Sequence, residues 1–231
     1  MSGYRKRTML RALSGLFALC LLLASQASAA EEFDKYALES VSAELSSTQA
    51  GAHSNFTVGF ELTENEAENR PYGLTRDILV QLPPGFIGNP QPFTRCTLAQ
   101  FGEKPEESEC PQDAQVGVAE IRLAGAINGT LLEPVYNMES PGGDIVARFA
   151  LFAGPYPSLI NVRVDPTDYS LVAAVEGAPA AAELISARTT FWGVPAADEN
   201  DELRLTPMEA LKGELPPGGR PSGQPEIPFL S

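Results

Sequence analysis

Phe56-Thr57-Val58-Gly59-Phe60-Glu61-Leu62 alternates large apolar side chains with small or polar ones. Successive side chains of a β-strand point to opposite faces, so Phe56, Val58, Phe60 and Leu62 share one face and Thr57, Gly59 and Glu61 the other. The stretch predicts a strand with a core side and a water side. The same period continues outward from it. Upstream, Val41, Ala43 and Leu45 alternate with Ser42, Glu44 and Ser46. Downstream, Ile78, Val80 and Leu82 alternate with Asp77 and Gln81, although Leu79 interrupts the polar side.

Farther along, Val116 and Val118 begin a strand that Ile121 and Leu123 continue in opposite phase, the slip a β-bulge produces. Strands are also expected at 132–138, 145–152, 159–164, 169–175 and 184–192. The stretch 145–152 is apolar on both faces apart from Arg148, which places it centrally in a sheet. Asp165-Pro166-Thr167-Asp168 is a run of turn formers joining two of these strands. Many short strands separated by Gly, Pro, Asn and Asp turns predict an all-β fold, an antiparallel Ig-like β-sandwich. Its expected core comprises Phe56, Val58, Phe60, Ile78, Val80, Ile145, Ala147, Phe149, Val162 and Leu171. One short helix is expected after Thr97, a side chain suited to capping, with Leu98 and Phe101 on its apolar edge.

The N-terminus carries a different message. Arg5, Lys6, Arg7 and Arg11 precede an apolar run from residue 12 to residue 24, and Ala27-Ser28-Ala29 forms an A-x-A site before Ala30. This is the layout of a secretory signal peptide, with cleavage expected between Ala29 and Ala30. The alternative is a membrane anchor, but the run falls short of the roughly 20 residues that span a bilayer. Three segments result: a signal peptide at 1–29, a β-sandwich at 30–195, and an acidic, then Pro/Gly-rich tail or linker at 196–231. The tail opens with Asp198-Glu199-Asn200-Asp201-Glu202, allows one helical turn near Pro207 to Leu211, and is then dense in proline and glycine.

Charge and cysteine content narrow the function further. The chain has 16 basic and 30 acidic residues, and four of the basic ones lie in the signal, so the mature net charge is 12 − 30 = −18. Such a body repels nucleic acid and anionic lipid. No second apolar run is long enough to cross a membrane, so no insertion is expected after signal removal. Cys20 lies in the signal, which leaves Cys96 and Cys110. In an exported chain two cysteines around a short polar loop read as a disulfide, with free thiols or a metal site as the alternatives.

Several blocks together resemble a β-rich domain of secreted bacterial surface proteins of actinobacterial type, most of them uncharacterised. They are Ser47-Thr48-Gln49-Ala50-Gly51-Ala52-His53, Leu82-Pro83-Pro84-Gly85-Phe86-Ile87-Gly88-Asn89-Pro90, Arg95-Cys96-Thr97-Leu98-Ala99-Gln100-Phe101, Cys110-Pro111, Gln115-Val116-Gly117-Val118, Val135-Tyr136-Asn137-Met138 and Phe191-Trp192-Gly193-Val194-Pro195. The resemblance implies an extracellular all-β module, often part of a larger surface protein, and brings no activity or catalytic residue.

The residues offer little catalytic chemistry. His53 is the sole histidine, it stands beside Ser54, and no G-x-S-x-G elbow is present. No carboxylate pair stands out for glycoside hydrolysis. The acidic runs Asp198, Asp201, Glu202 and Glu61, Glu64, Glu66 lack the spacing of a calcium loop. No cofactor or metal is expected. Carbohydrate binding through exposed aromatics is the rival to a purely structural role, with Tyr72, Phe152, Tyr156 and Trp192 as candidate ligand aromatics. Trp192 falls out of phase with Ile185, Ala187 and Phe191, so it either forms such a platform or seals one end of the fold. The reading is an exported structural or interaction module of the cell surface or envelope without catalysis. The alternative is an extracellular carbohydrate- or polymer-binding module.

Overall fold

A computed structural model describes residues 35–125, 127–214 and 220–230; the signal peptide and its cleavage site at Ala29 and Ala30 lie outside them. The alternating stretches all become strands. In chain order they are β1 (Leu38–Leu45), β2 (Phe56–Leu62), β3 (Glu64–Asn65), β4 (Arg70–Pro71), β5 (Ile78–Gln81), β6 (Gln115–Leu123), β7 (Gly129–Met138), β8 (Ile145–Ala153), β9 (Tyr156–Val164), β10 (Leu171–Val175) and β11 (Leu184–Phe191). Nine of them form one antiparallel sheet in the order β1-β2-β11-β6-β7-β8-β9-β10-β5, while β3 and β4 form a small separate hairpin.

The fold is all-β as expected, but the strands share a single sheet in place of the two facing sheets of an Ig-like sandwich. The sheet curls onto itself. Phe149 of β8 and Phe191 of β11 are separated by two intervening strands, yet their ring centroids lie 4.9 Å apart. The Tyr36 and Thr75 hydroxyls, 2.8 Å apart, tie together the segments leading into the two edge strands β1 and β5. A two-residue period reports that one strand face is covered. It does not report whether the covering strands belong to a second sheet or to the far end of the same one.

The inner face of the curl carries the main core, with Phe56, Ile121, Val135, Phe149, Leu151 and Val162 buried there. Phe60, Ile78, Val80 and Ile145, expected in that core, are only half-buried and stand outside its cluster, while Val58, Ala147 and Leu171 pack against it partly buried. The outer face of the central strands is covered as well. The phase change expected in β6 is therefore no bulge at Val118. Ala119, Ile121 and Leu123 face inward, while Val118 faces an outer cluster. The irregular pairing in this strand lies nearer its start, between Gln115 and Gly117.

One outer cover is the disulfide loop. Cys96 and Cys110 are bonded, with Cα atoms 5.2 Å apart. Within the loop α1 (Leu98–Phe101) carries a reciprocal capping box. The Gln100 amide donates to the Thr97 hydroxyl oxygen, and the Thr97 amide donates to the Gln100 side chain. Phe101 stacks on Phe152 of β8 at 4.4 Å, whereas Leu98, its expected partner on the apolar edge, is exposed. The bond joins cysteines 14 positions apart in sequence. Replacing both cysteines by serine is expected to lower stability by about 3 kcal/mol, the chain-entropy value for such a loop. Denaturant midpoints of the two forms check it, and equal midpoints would remove the disulfide from the stability account.

The second outer cover is the C-terminal segment, which was expected to be a tail outside the fold. After Pro195 the chain makes a 3-10 stretch (Asp198–Leu203) and then α2 (Pro207–Leu211), itself capped by a Thr206–Glu209 box. Leu205 and Ala210 are buried with Trp192 against Val118 and Leu132. Beyond the Pro/Gly-rich stretch the chain returns to the inner core, where Phe229 meets Phe93 at 5.2 Å and Phe149 at 6.0 Å. The domain thus extends to Leu230. The described residues 220–230 form neither helix nor strand, but apolar anchors spaced along this path still hold it down. Spacing this wide leaves no period to read.

Candidate binding cavity

The inner face of the curled sheet is not filled. A cavity of about 510 Å³ lies between β2 and β11 on one side and β8, β9, β10 and β5 on the other. This is within the usual range of ligand sites, roughly 300–1,000 Å³. Its walls follow from the two-residue period. Val58 and Phe60 of β2 pair with Thr189 and Ala187 of β11, so all four point inward. Ala173 and Val175 of β10 pair with Val80 and Ile78 of β5 and do the same. Ala147 and Val162 are paired across β8 and β9. Phe149, Leu151, Ile121, Phe86, Phe229 and Leu230 line it as well.

Four of the strand positions lining the cavity carry alanine, Ala147 and Ala153 of β8, Ala173 of β10 and Ala187 of β11. Small side chains at these positions take up less of the inner space than the Val, Ile and Phe beside them. Among the described residues no carboxylate, lysine, arginine, histidine or cysteine lines the cavity. In a chain with 20% charged residues this separates the cavity from the rest of the surface. The polar groups it does carry, such as Thr75, Asn89, Gln91, Ser158 and Tyr169, are uncharged.

The candidate ligand aromatics do not assemble into a platform. Trp192 is fully buried on the outer face, beneath the Arg204 guanidinium at 5.0 Å from its ring. Its phase does point it away from the main core, as the sequence indicated, but the C-terminal segment covers that side. Of the two readings of Trp192, the structure selects the seal. Phe152 is buried against Phe101. Tyr156 is half-buried against the core, and Tyr72 is half-buried with Lys35 Nζ 5.3 Å from its ring centroid.

The other candidate groups are engaged structurally. Gly193 sits so close to the His53 carbonyl that an added Cβ would lie 2.0 Å from that oxygen. The Gly193 amide donates to Asn55 Oδ1 at 2.8 Å. Only glycine permits this approach, so the His53 and Trp192 blocks meet through backbone. Glu61 and Glu64 pair with Arg122 at 3.7 and 2.8 Å. Asp201 pairs with the buried Arg204 at 3.0 Å.

One strongly perturbed group escaped the sequence reading. Glu133 of β7 lies between Leu131 and Val135 on the inner face, fully buried, and among the described residues neither carboxylate oxygen reaches hydrogen-bond geometry. Burial raises its pKa from 4.5 to about 9, and the nearby Gly154 amide opposes this only in part. It is held as a neutral acid beneath the core and does not line the cavity. Its position after Leu131 in an inward phase was the available signal. The cavity's own signal was the run of inward alanines on strands otherwise built of large residues.

Comparison of the chain with protein-family models, curated proteins and solved structures finds no match.

Proposed function

We propose that the chain is an exported, non-catalytic interaction module that holds an apolar ligand within its curled sheet. The observation that carries this reading is the uncharged, apolar cavity of about 510 Å³. An apolar lining of this kind favours apolar molecules, because burying their surface against it removes that surface from water. A sugar would lose its own partners on entering, at a cost of about 1–3 kcal/mol for each unpaired group. The burial of Trp192 and Phe152 also removes the strongest support for a polysaccharide site. A reaction in this cavity would need an acid, a base or a nucleophile–base pair, and its wall supplies no histidine, carboxylate or cysteine among the described residues. Export is supported by the N-terminal signal layout, by the disulfide, and by the lack of a membrane-crossing helix among the described residues.

Two measurements test the reading. N-terminal sequencing of protein recovered outside the cytoplasm is expected to begin at Ala30, and a start at Met1 would sink the export half. Titration of the mature chain with N-phenyl-1-naphthylamine, whose fluorescence rises in apolar surroundings, is expected to saturate at micromolar concentration. Fluorescence that never rises above that of the free probe would sink the binding half.

A further inference from the structure

We infer that the natural occupant of the cavity is the acyl chain of an electrically neutral lipid, with its head group left at the rim. The inference rests on the reading of the cavity as an apolar-ligand site and goes on to name the ligand. Three observations support it.

The first is polarity. A peptide strand lying in the cavity would bring an N–H and a C=O with every residue, and the walls of Val58, Phe60, Ile78, Val80 and Ile160 have nothing to pair with them. An acyl chain carries no such groups along its length.

The second is size. At the roughly 30 Å³ that a water molecule takes in the liquid, and a methylene takes similarly, the cavity of about 510 Å³ accommodates about seventeen chain carbons. That is the length of a common membrane acyl chain.

The third is charge. The mature body carries 12 basic against 30 acidic residues, so an anionic head group would approach an opposing field. The polar residues at the rim, Asn89, Gln91 and Tyr169, are neutral. Of the cations beside it, Arg76 lies 3.8 Å from Asp77, while Arg95 donates to the neutral Gln91 Oε1 at 3.3 Å. One guanidinium set against 30 acidic residues leaves the overall field opposed to a carboxylate or phosphate, whereas the hydroxyl and ester groups of an acylglycerol are matched by amides and a phenol.

The test uses the mature chain loaded with N-phenyl-1-naphthylamine. Monopalmitoylglycerol is expected to displace the probe with a micromolar inhibition constant. Palmitate, with the same chain and a carboxylate head, is expected to compete at least ten-fold more weakly, and the gap should narrow as salt screens the field. Ala173→Phe fills the cavity from β10 and is expected to weaken both probe and acylglycerol at least ten-fold. Ala187→Phe fills it from the opposite wall and serves if the first variant melts early, while Leu79→Ala, on an exposed outward position, should bind as the parent does. No probe binding at all would overturn the cavity reading together with this one. Probe binding that neither acyl lipid displaces would overturn only the acyl assignment, as would preferential displacement by a rigid sterol. Palmitate competing as well as the acylglycerol would overturn the neutral head group. Unchanged affinity in folded Ala173→Phe and Ala187→Phe would place the ligand elsewhere.

Discussion

Replacing Phe229 by alanine is expected to lower the stability of the mature chain by about 3–5 kcal/mol, the cost of truncating a large buried aromatic. Phe229 is 2% exposed and touches Phe93 and Phe149. Its amide donates to the Gly193 carbonyl at 2.7 Å, and its own carbonyl accepts from the Asn89 amide at 2.8 Å. These contacts join the end of the chain to the loop after β5 and to the end of β11. Removing residues 205–230 altogether should cost more, because Leu205 and Ala210 leave the outer face with it and expose Trp192 and Val118. Urea unfolding of the parent, the point variant and the truncated chain measures both. A Phe229→Ala chain within 1 kcal/mol of the parent would show that this end is only laid upon the fold.

The second large effect concerns pH. Glu133 keeps its proton in the folded state up to about pH 9, while in the unfolded chain it releases it near pH 4.5. Between these values the unfolded state binds fewer protons than the native one, so stability falls as pH rises. The slope is about 1.4 kcal/mol per pH unit. From this group alone the chain is expected to lose about 3 kcal/mol between pH 5 and pH 7. Glu133→Gln carries no proton to lose, so it should flatten that slope and be the more stable chain at pH 8. Glu209 acts oppositely. Its hydrogen bonds from the Arg220 guanidinium hold its pKa below the usual value, so its contribution is present above that value and is lost as pH falls through the lowered one. Stability should therefore peak in mild acid. Denaturant midpoints at several pH values for parent and Glu133→Gln provide the check, and parallel curves would mean that Glu133 is ionised or solvated in the folded chain.

The strands were legible in the sequence because each reports its own burial. Phe56 to Leu62 became β2, the Asp165–Asp168 turn joined β9 to β10, and Cys96 met Cys110. The global arrangement was not legible, because pairing such as β2 with β11 depends on residues far apart, and alternation is the same in one curled sheet as in two flat ones. Trp192 was assigned to the correct face, but its cover comes from Leu205 and Ala210, in a segment whose composition conceals it. The cavity was missed for a related reason. Alanine in a strand reads as a small core residue, and only the opposite wall shows whether its smallness is filled or left open. Glu133 was hidden by its polarity, since an acid in a strand is normally assigned to water.

The pairing order also has a consequence in time. β2 can find β11 only after residue 191 has been made, and Phe229 joins the core later still. Sheets that join distant segments nucleate slowly, because a long loop must close before any contact rewards it. Before that, the hairpins from β6 to β10 each pair with their neighbours in sequence, but the sheet they form lacks the strands that close the curl over it. The open inner face of such a partly made sheet is the surface most exposed to wrong association.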